Sequence, residues 1–245
     1  VNFSNNKREI MINNIGNTEV LKDICSTCIR HHGCVAHKIK NTLSNFPTPK
    51  HQLFRASDYI FHVGDKLENL YIVKSGSIKT FIINQVGEEQ ILNFHGPGDL
   101  LGIDALPFHK NICTAFSLET SSVCSIPIVK LEEALKQLIP PWLFEFAIDK
   151  FKQENSNTYM LGKKNANNRV ATFLLKASEN HRVLGCSNTE FDLSMSRDDI
   201  GNYLGLASET VSRTLTNMKK DGCVKLDRRH ITIVDTQHLQ MLAGS

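Results

Sequence analysis

SRDDIGNYLGLASETVSRTLTN, residues 196–217, reads as two short helices joined by a glycine turn. Ser196 is a good N-cap, with Asp199 three residues on and acidic residues in the first turn. Ile200, Tyr203 and Leu204 are spaced to pack inward, Gly205 makes the turn, and Ala207 or Ser208 opens the second helix. Val211 and Leu215 face inward on that helix, which leaves Ser208, Glu209, Ser212 and Arg213 outward near its start. This outward set suits a DNA major groove. Arg213 can donate two hydrogen bonds to guanine, Glu209 can accept from a cytosine amino group, and Ser212 is small enough to approach a base edge or a thymine methyl. Ser208, Lys219, Lys220, Lys225, Arg228 and Arg229 suit phosphates. The DRRH turn between VKL and ITIV has the look of a wing.

Outward from this motif, residues 165–245 form a C-terminal domain, with a helix over 165–179, a loop at Gly185, the helix-turn-helix and a hairpin. Before it, Pro140-Pro141 opens a long helix over 139–164. Phe144, Ala147, Ile148, Phe151, Glu154, Thr158 and Leu161 fall on one stripe of it. The stripe is long for a helix that only covers a neighbouring domain, so a dimer seam stands beside the plainer reading of a core-facing helix. Glu154 sits where the stripe should be apolar, and two such carboxylates facing across a two-fold axis would repel. Residues 49–138 read as short strands (YIFHV, NLYIVKS, SIKTFII, EQILNF, SVCSIPI) separated by turns at Gly64-Asp65, Ser75-Gly76, Gly87 and Gly96-Pro97-Gly98-Asp99. Strands at that spacing indicate a β barrel, sandwich or roll. The whole is an α+β chain.

Residues 25–48 carry Cys25, Cys28 and Cys34 in a C-x2-C-x5-C run and end at the FPTP break; residues 1–24 are Asn-rich and expected to be mobile. Thiolates suit zinc and iron–sulfur clusters alike. His31, His32 and His37 lie close enough to complete a zinc site, whereas a cluster needs a fourth ligand folding back from the β domain. Spacing alone leaves the two level. Cys113, Cys186 and Cys223 read as small core or surface residues.

At 245 residues, with 41% hydrophobic and 22% charged residues, the chain is an ordinary globular protein with room for two cores. No apolar run approaches a membrane span, and the first residues carry no export signal, so a cytoplasmic location is expected. A net charge of +3 permits nucleic acid without demanding it. No catalytic constellation or P-loop is present, which argues against an enzyme or a redox carrier.

Taken in order, cysteine run, β domain, long helix and winged helix-turn-helix, the chain resembles the CRP/FNR superfamily of bacterial transcription regulators, and most of all its oxygen-sensing FNR branch. The resemblance rests on DDIGNYLGLASETVSR, GEEQILNFHGPGDLLGIDAL, LETSSVCSIP and GKKNANNRVATFL, and spans roughly residues 20–243. It implies a cyclic-nucleotide-binding-like β-roll as the sensor domain. It implies a [4Fe–4S] cluster, one per subunit, on Cys25, Cys28, Cys34 and Cys124, with Cys124 rather than Cys113 as the fourth ligand. It further implies that the cluster holds a homodimer on a palindromic TTGAT-N4-ATCAA-type DNA operator controlling anaerobic genes. Oxygen would degrade the cluster to [2Fe–2S], with loss of dimerisation and DNA binding. Glu209, Ser212 and Arg213 match the base-reading positions, Glu154 the acidic residue of the dimer helix, and Ile83, Asn84, Gly87 and Glu88 a surface that contacts RNA polymerase.

Two departures matter. The cyclic-nucleotide branch holds its ligand phosphate with an Arg-Ser pair, and Cys113-Thr114 fall there, so no cyclic nucleotide is expected. Ile29 and Gly33 flank the ligands where well-known members carry a small polar and a bulky apolar residue, which bears on the speed of an oxygen response.

Overall fold

The computed structural model describes Cys34 and residues 49–135, 147–148, 151–152, 155, 162 and 165–244. Cys25, Cys28, Phe144, Glu154, Thr158, Leu161 and the N-terminal segment 1–24 lie outside the described residues.

Eight strands make the N-terminal unit: β1 (Lys50–Phe54), β2 (Tyr59–Phe61), β3 (Asn69–Ser75), β4 (Ile78–Ile83), β5 (Glu89–His95), β6 (Leu100–Leu101), β7 (Thr114–Ser117) and β8 (Ser121–Pro127). They form two four-stranded antiparallel sheets, ordered β1-β8-β3-β6 and β2-β7-β4-β5. The five runs anticipated from alternation all contain strands. Strands β1, β6 and β7 were not anticipated. HQLF is exposed and polar at its start, LL is too short to show a period, and TAFS is buried at three of its four positions. A 3-10 helix, Ile103–Phe108, links β6 to β7, and helix α1 (Ile128–Leu135) follows β8.

The C-terminal unit begins at helix α2 (Ala166–Val183), capped reciprocally by Asn165 and Asn168 and ending four residues later than expected. Strand β9 (Glu190–Asp192), helices α3 (Arg197–Leu204) and α4 (Ser208–Lys220), strands β10 (Val224–Asp227) and β11 (His230–Ile233), and helix α5 (Thr236–Ala243) complete it. The expected hairpin is the β10-β11 pair. It belongs to a three-stranded sheet, β10-β11-β9, because Phe191 lies opposite Ile231 and both are buried.

The two units share a core. Phe81 and Ile91 of the β-roll belong to the same apolar cluster as Val170, Leu174, Ile200, Tyr203, Leu204, Val211 and Leu215 of the C-terminal unit. Phe94 packs edge-to-face on Phe173 and Tyr203, with ring centroids 6.1 and 5.1 Å apart.

Candidate functional site

The helix-turn-helix is locked by local chemistry. Ser196 caps α3, accepting from the Asp199 N–H, while the Asp199 carboxylate accepts in return from the Ser196 N–H. The turn follows from two glycines. Gly205 ends α3 in the left-handed region, at φ 62°. Gly201 lies so close to the second helix that a Cβ there would sit 2.6 Å from the Leu206 carbonyl oxygen. Helix α4 then buries Val211, Thr214, Leu215 and Met218. Glu209, Ser212 and Arg213 are exposed along its first two turns, and Ser208 is half-buried. Lys219, Lys220, Lys225, Arg228 and Arg229 are all exposed. Arg228, at the tip of the β10-β11 turn, has a positive φ of 52°. The outer face therefore presents Glu209, Ser212 and Arg213 flanked by cations.

Two of the four candidate cysteines, Cys34 and Cys124, are described, and both lie at the β1-β8-β3-β6 sheet. Cys124 lies on β8, an inner strand, with His51 of β1 opposite it on one side and Ile72 of β3 on the other. Cys124 is buried in an apolar cluster with Leu67, Leu70, Ile72, Leu100 and Ile126, and Cys34 packs against that same cluster from the N-terminal segment. Cys113 belongs to a separate cluster, with Phe61, Val73 and Val123, and burial pushes its thiol pKa up to about 12. Cys186 is exposed and Cys223 is buried in the C-terminal unit, where burial raises its pKa. His51 Nε2 is 3.7 Å from Cys124 Sγ, and His51 Nδ1 is 3.4 Å from Lys74 Nζ. Burial and the Lys74 charge hold the His51 pKa below its ordinary value. Among the described residues no three His, Cys, Asp or Glu side chains are gathered as for a metal ion.

Comparison with known proteins assigns both folded units. The Crp-like helix-turn-helix domain matches residues 168–242, and the cyclic nucleotide-binding domain matches residues 51–138. The transcriptional activator protein Anr of Pseudomonas aeruginosa is 38% identical over 192 residues, 78% of this chain and 79% of its own. The fumarate and nitrate reduction regulatory protein of Salmonella typhimurium is 38% identical over 187 residues, 76% of this chain and 75% of its own. This chain belongs to the CRP/FNR family of transcription regulators. The solved structure of FixK2 from Bradyrhizobium japonicum superposes with a TM-score of 0.74 at 28% identity, covering 81% of this chain and 99% of that one.

Within a CRP/FNR regulator, the β4-β5 turn and the seam between units gain meaning. The Asn84 side chain closes that turn by accepting from the Val86 and Glu88 N–H groups, while its amide donates to the Glu88 carboxylate. Ile83 and Val86 are left exposed at its tip. On the other side of β5, Asn202 of α3 accepts from the Ile91 N–H at 2.7 Å and donates to the Glu89 carbonyl at 2.6 Å. Lys79 reaches Glu89 at 2.6 Å and Asp199 at 2.9 Å, with only 11% of its side chain exposed. Burial works to lower the Lys79 pKa, but the two carboxylates override it and hold it raised. Asp199 is correspondingly lowered against its own burial. Asn202, Lys79 and His51 went unnoticed in the sequence, where each is one polar residue among many. Only the cross-strand register and the domain seam single them out.

Of the long-helix stripe, Ala147, Ile148 and Phe151 are described, helical and exposed, with 53% of Ile148 and 68% of Phe151 accessible. Among the described residues no helix is long and apolar enough to cross a membrane.

Proposed function

We propose that this regulator is an oxygen-responsive, iron–sulfur-dependent switch that binds a palindromic DNA operator as a homodimer and controls genes of anaerobic metabolism. The observation that carries this reading is the packing of Cys34 against the apolar cluster that buries Cys124. Cys34, a thiol of the C-x2-C-x5-C segment, packs against the cluster of Cys124 and not that of Cys113, which supports this reading. All four candidate donors are soft sulfur, and the two described, Cys34 and Cys124, lie in an apolar surround, which fits a [4Fe–4S] cluster on Cys25, Cys28, Cys34 and Cys124. When bound, such a cluster supplies an oxygen-labile tie between the N-terminal segment and the β-roll. The Salmonella relative is named for the regulation of fumarate and nitrate reduction and the Pseudomonas relative for transcriptional activation, which supports the gene-regulatory part of this reading.

The chain's own residues do the rest. Ile148 and Phe151, uncovered in one protomer, are the apolar part of a dimer seam, and Glu154 weakens it. Ordering of the cysteine segment by a bound cluster would offset the repulsion. Pairing sets two α4 helices about one DNA turn, ~34 Å, apart, as a two-fold operator requires. Glu209, Ser212 and Arg213 then read bases while Ser208 and the surrounding lysines and arginines hold phosphates. The exposed turn Ile83–Glu88 faces RNA polymerase. Cys113 and Thr114 occupy the place of a cyclic-nucleotide clamp with no cation. Thr114 Oγ1 already accepts from the Val63 N–H at 3.1 Å, so cyclic nucleotide is not the signal.

The test is anaerobic purification with iron and sulfide assay, followed by sedimentation and TTGAT-N4-ATCAA duplex binding before and after air. A brown, four-iron dimer that becomes a non-binding monomer in air is expected. A colourless zinc protein, or a dimer indifferent to air, overturns the reading.

A further inference from the structure

We infer that His51 is a positioning residue for the cysteine site, donating an Nε2–H hydrogen bond to the Cys124 sulfur and slowing oxidative loss of whatever cluster that sulfur holds. This rests on the iron–sulfur reading above and deepens it by naming a group outside the four ligands.

The argument begins with register. Strand β1 pairs with β8 so that His51 stands directly opposite Cys124, and side chains of directly opposed residues share a face of the sheet. The partner of β8 on its other side is Ile72, which offers no polar group, so a hydrogen bond to Cys124 from a directly opposed side chain can come only from β1. Lys74 sits where the β3-β8 register shifts between Val73 and Ser75, and its ammonium comes to 3.4 Å from His51 Nδ1. An ammonium has hydrogens to give and no lone pair to receive. Nδ1 must therefore be the acceptor, and the ring hydrogen is left on Nε2, 3.7 Å from Cys124 Sγ. Lys74 thus fixes the tautomer, and the tautomer aims a donor at sulfur. A second-sphere partner that fixes the orientation of a first-sphere ligand is the usual way a protein tunes a metal site. An N–H donor to a ligating thiolate draws electron density from it, so the cluster becomes harder to oxidise and its reduction potential rises.

The test compares the full chain with His51→Ala and His51→Gln, each purified without oxygen. Iron and sulfide are counted first, then the cluster midpoint potential and the decay of visible absorbance in air are measured. His51→Ala is expected to hold the same iron and sulfide as the unaltered chain, to show a lower potential, and to lose its absorbance roughly tenfold faster. That factor is set by analogy with the ~10-fold low end of outer-sphere effects on metal affinity or activity. His51→Gln, which keeps an N–H donor, should recover at least part of the shift. Unchanged potential and decay in His51→Ala overturn the proposal while leaving the iron–sulfur reading intact. Iron lost from His51→Ala overturns it in favour of His51 as a ligand. If the unaltered chain holds no iron, the iron–sulfur reading fails first, and the proposal goes with it.

Discussion

The α3-α4 reading unit and the cysteine site are built on opposite plans. The caps and the turn that shape the reading unit lie within about twenty residues of chain: the Ser196-Asp199 capping box, the Gly201 approach to Leu206 and the buried Val211-Leu215 stripe. The cysteine site joins residue 34 to residues 51, 74 and 124, from the N-terminal segment and three strands. Local construction lets the helix-turn-helix take its shape from its own residues, while Asn202 and Lys79 set where it sits against the β-roll. Dispersed construction makes the cysteine site dependent on the fold, which is the property the proposed switch needs.

Changes at each region should therefore fail differently. The largest effect is expected for Cys124→Ala. Iron and sulfide fall to background and air no longer alters operator binding, while circular dichroism reports a folded chain. Retention of a full cluster would move the fourth ligand elsewhere. Next comes Gly201→Ala, whose Cβ meets a backbone oxygen and has nowhere to go. About 1–3 kcal/mol of stability should be lost in denaturant unfolding of the C-terminal unit, with anaerobic iron content unchanged. Arg213→Ala should weaken operator binding by about 1–3 kcal/mol and relax the preference at one base of each half-site, with little change on unrelated DNA. Lys225→Ala should weaken binding to all sequences alike and reduce the salt dependence by about one unit of slope. Uniform weakening by Arg213→Ala, or base-selective weakening by Lys225→Ala, would reverse the roles given to helix and wing.

The smallest effect belongs to the seam that joins the two plans. The folded pKa of Asp199 is depressed, so its contribution is present above the unfolded value and is lost as pH falls through the folded one. Lys79 stays charged throughout that range because its pKa is raised. Below pH ~4 the seam should loosen, at a cost of about 1 kcal/mol or less, and Asp199→Asn should flatten that part of the pH-stability curve. An unaltered curve would mean that the shared apolar core alone holds the units together.

How much could be read beforehand follows from the same contrast. Caps, the turn glycine and the inward residues of α3 and α4 were legible because helical spacing and capping are local rules. The five alternating strands were legible for a similar reason. Strands β6 and β9 were too short to carry a period, TAFS of β7 has no clean alternation because both its faces are covered, and β1 begins in a polar run. Helix α5 hid behind a hairpin expected to end the chain, although Asp235 caps it. His51 had no sequence signal at all. It is a histidine after a lysine, seventy-three residues from the sulfur it faces.

The sequence by itself determined a two-helix DNA reader, a β domain and a set of thiols, because caps, periods and cysteine spacing are written in neighbouring residues. Tertiary structure alone decided that Cys34 packs against the cluster holding Cys124 and not against that of Cys113, that Lys79 and Asn202 hold α3 to β5, and that His51 stands opposite Cys124. Those are matters of strand order and register, which arise when the sheets close and bring distant residues to one face.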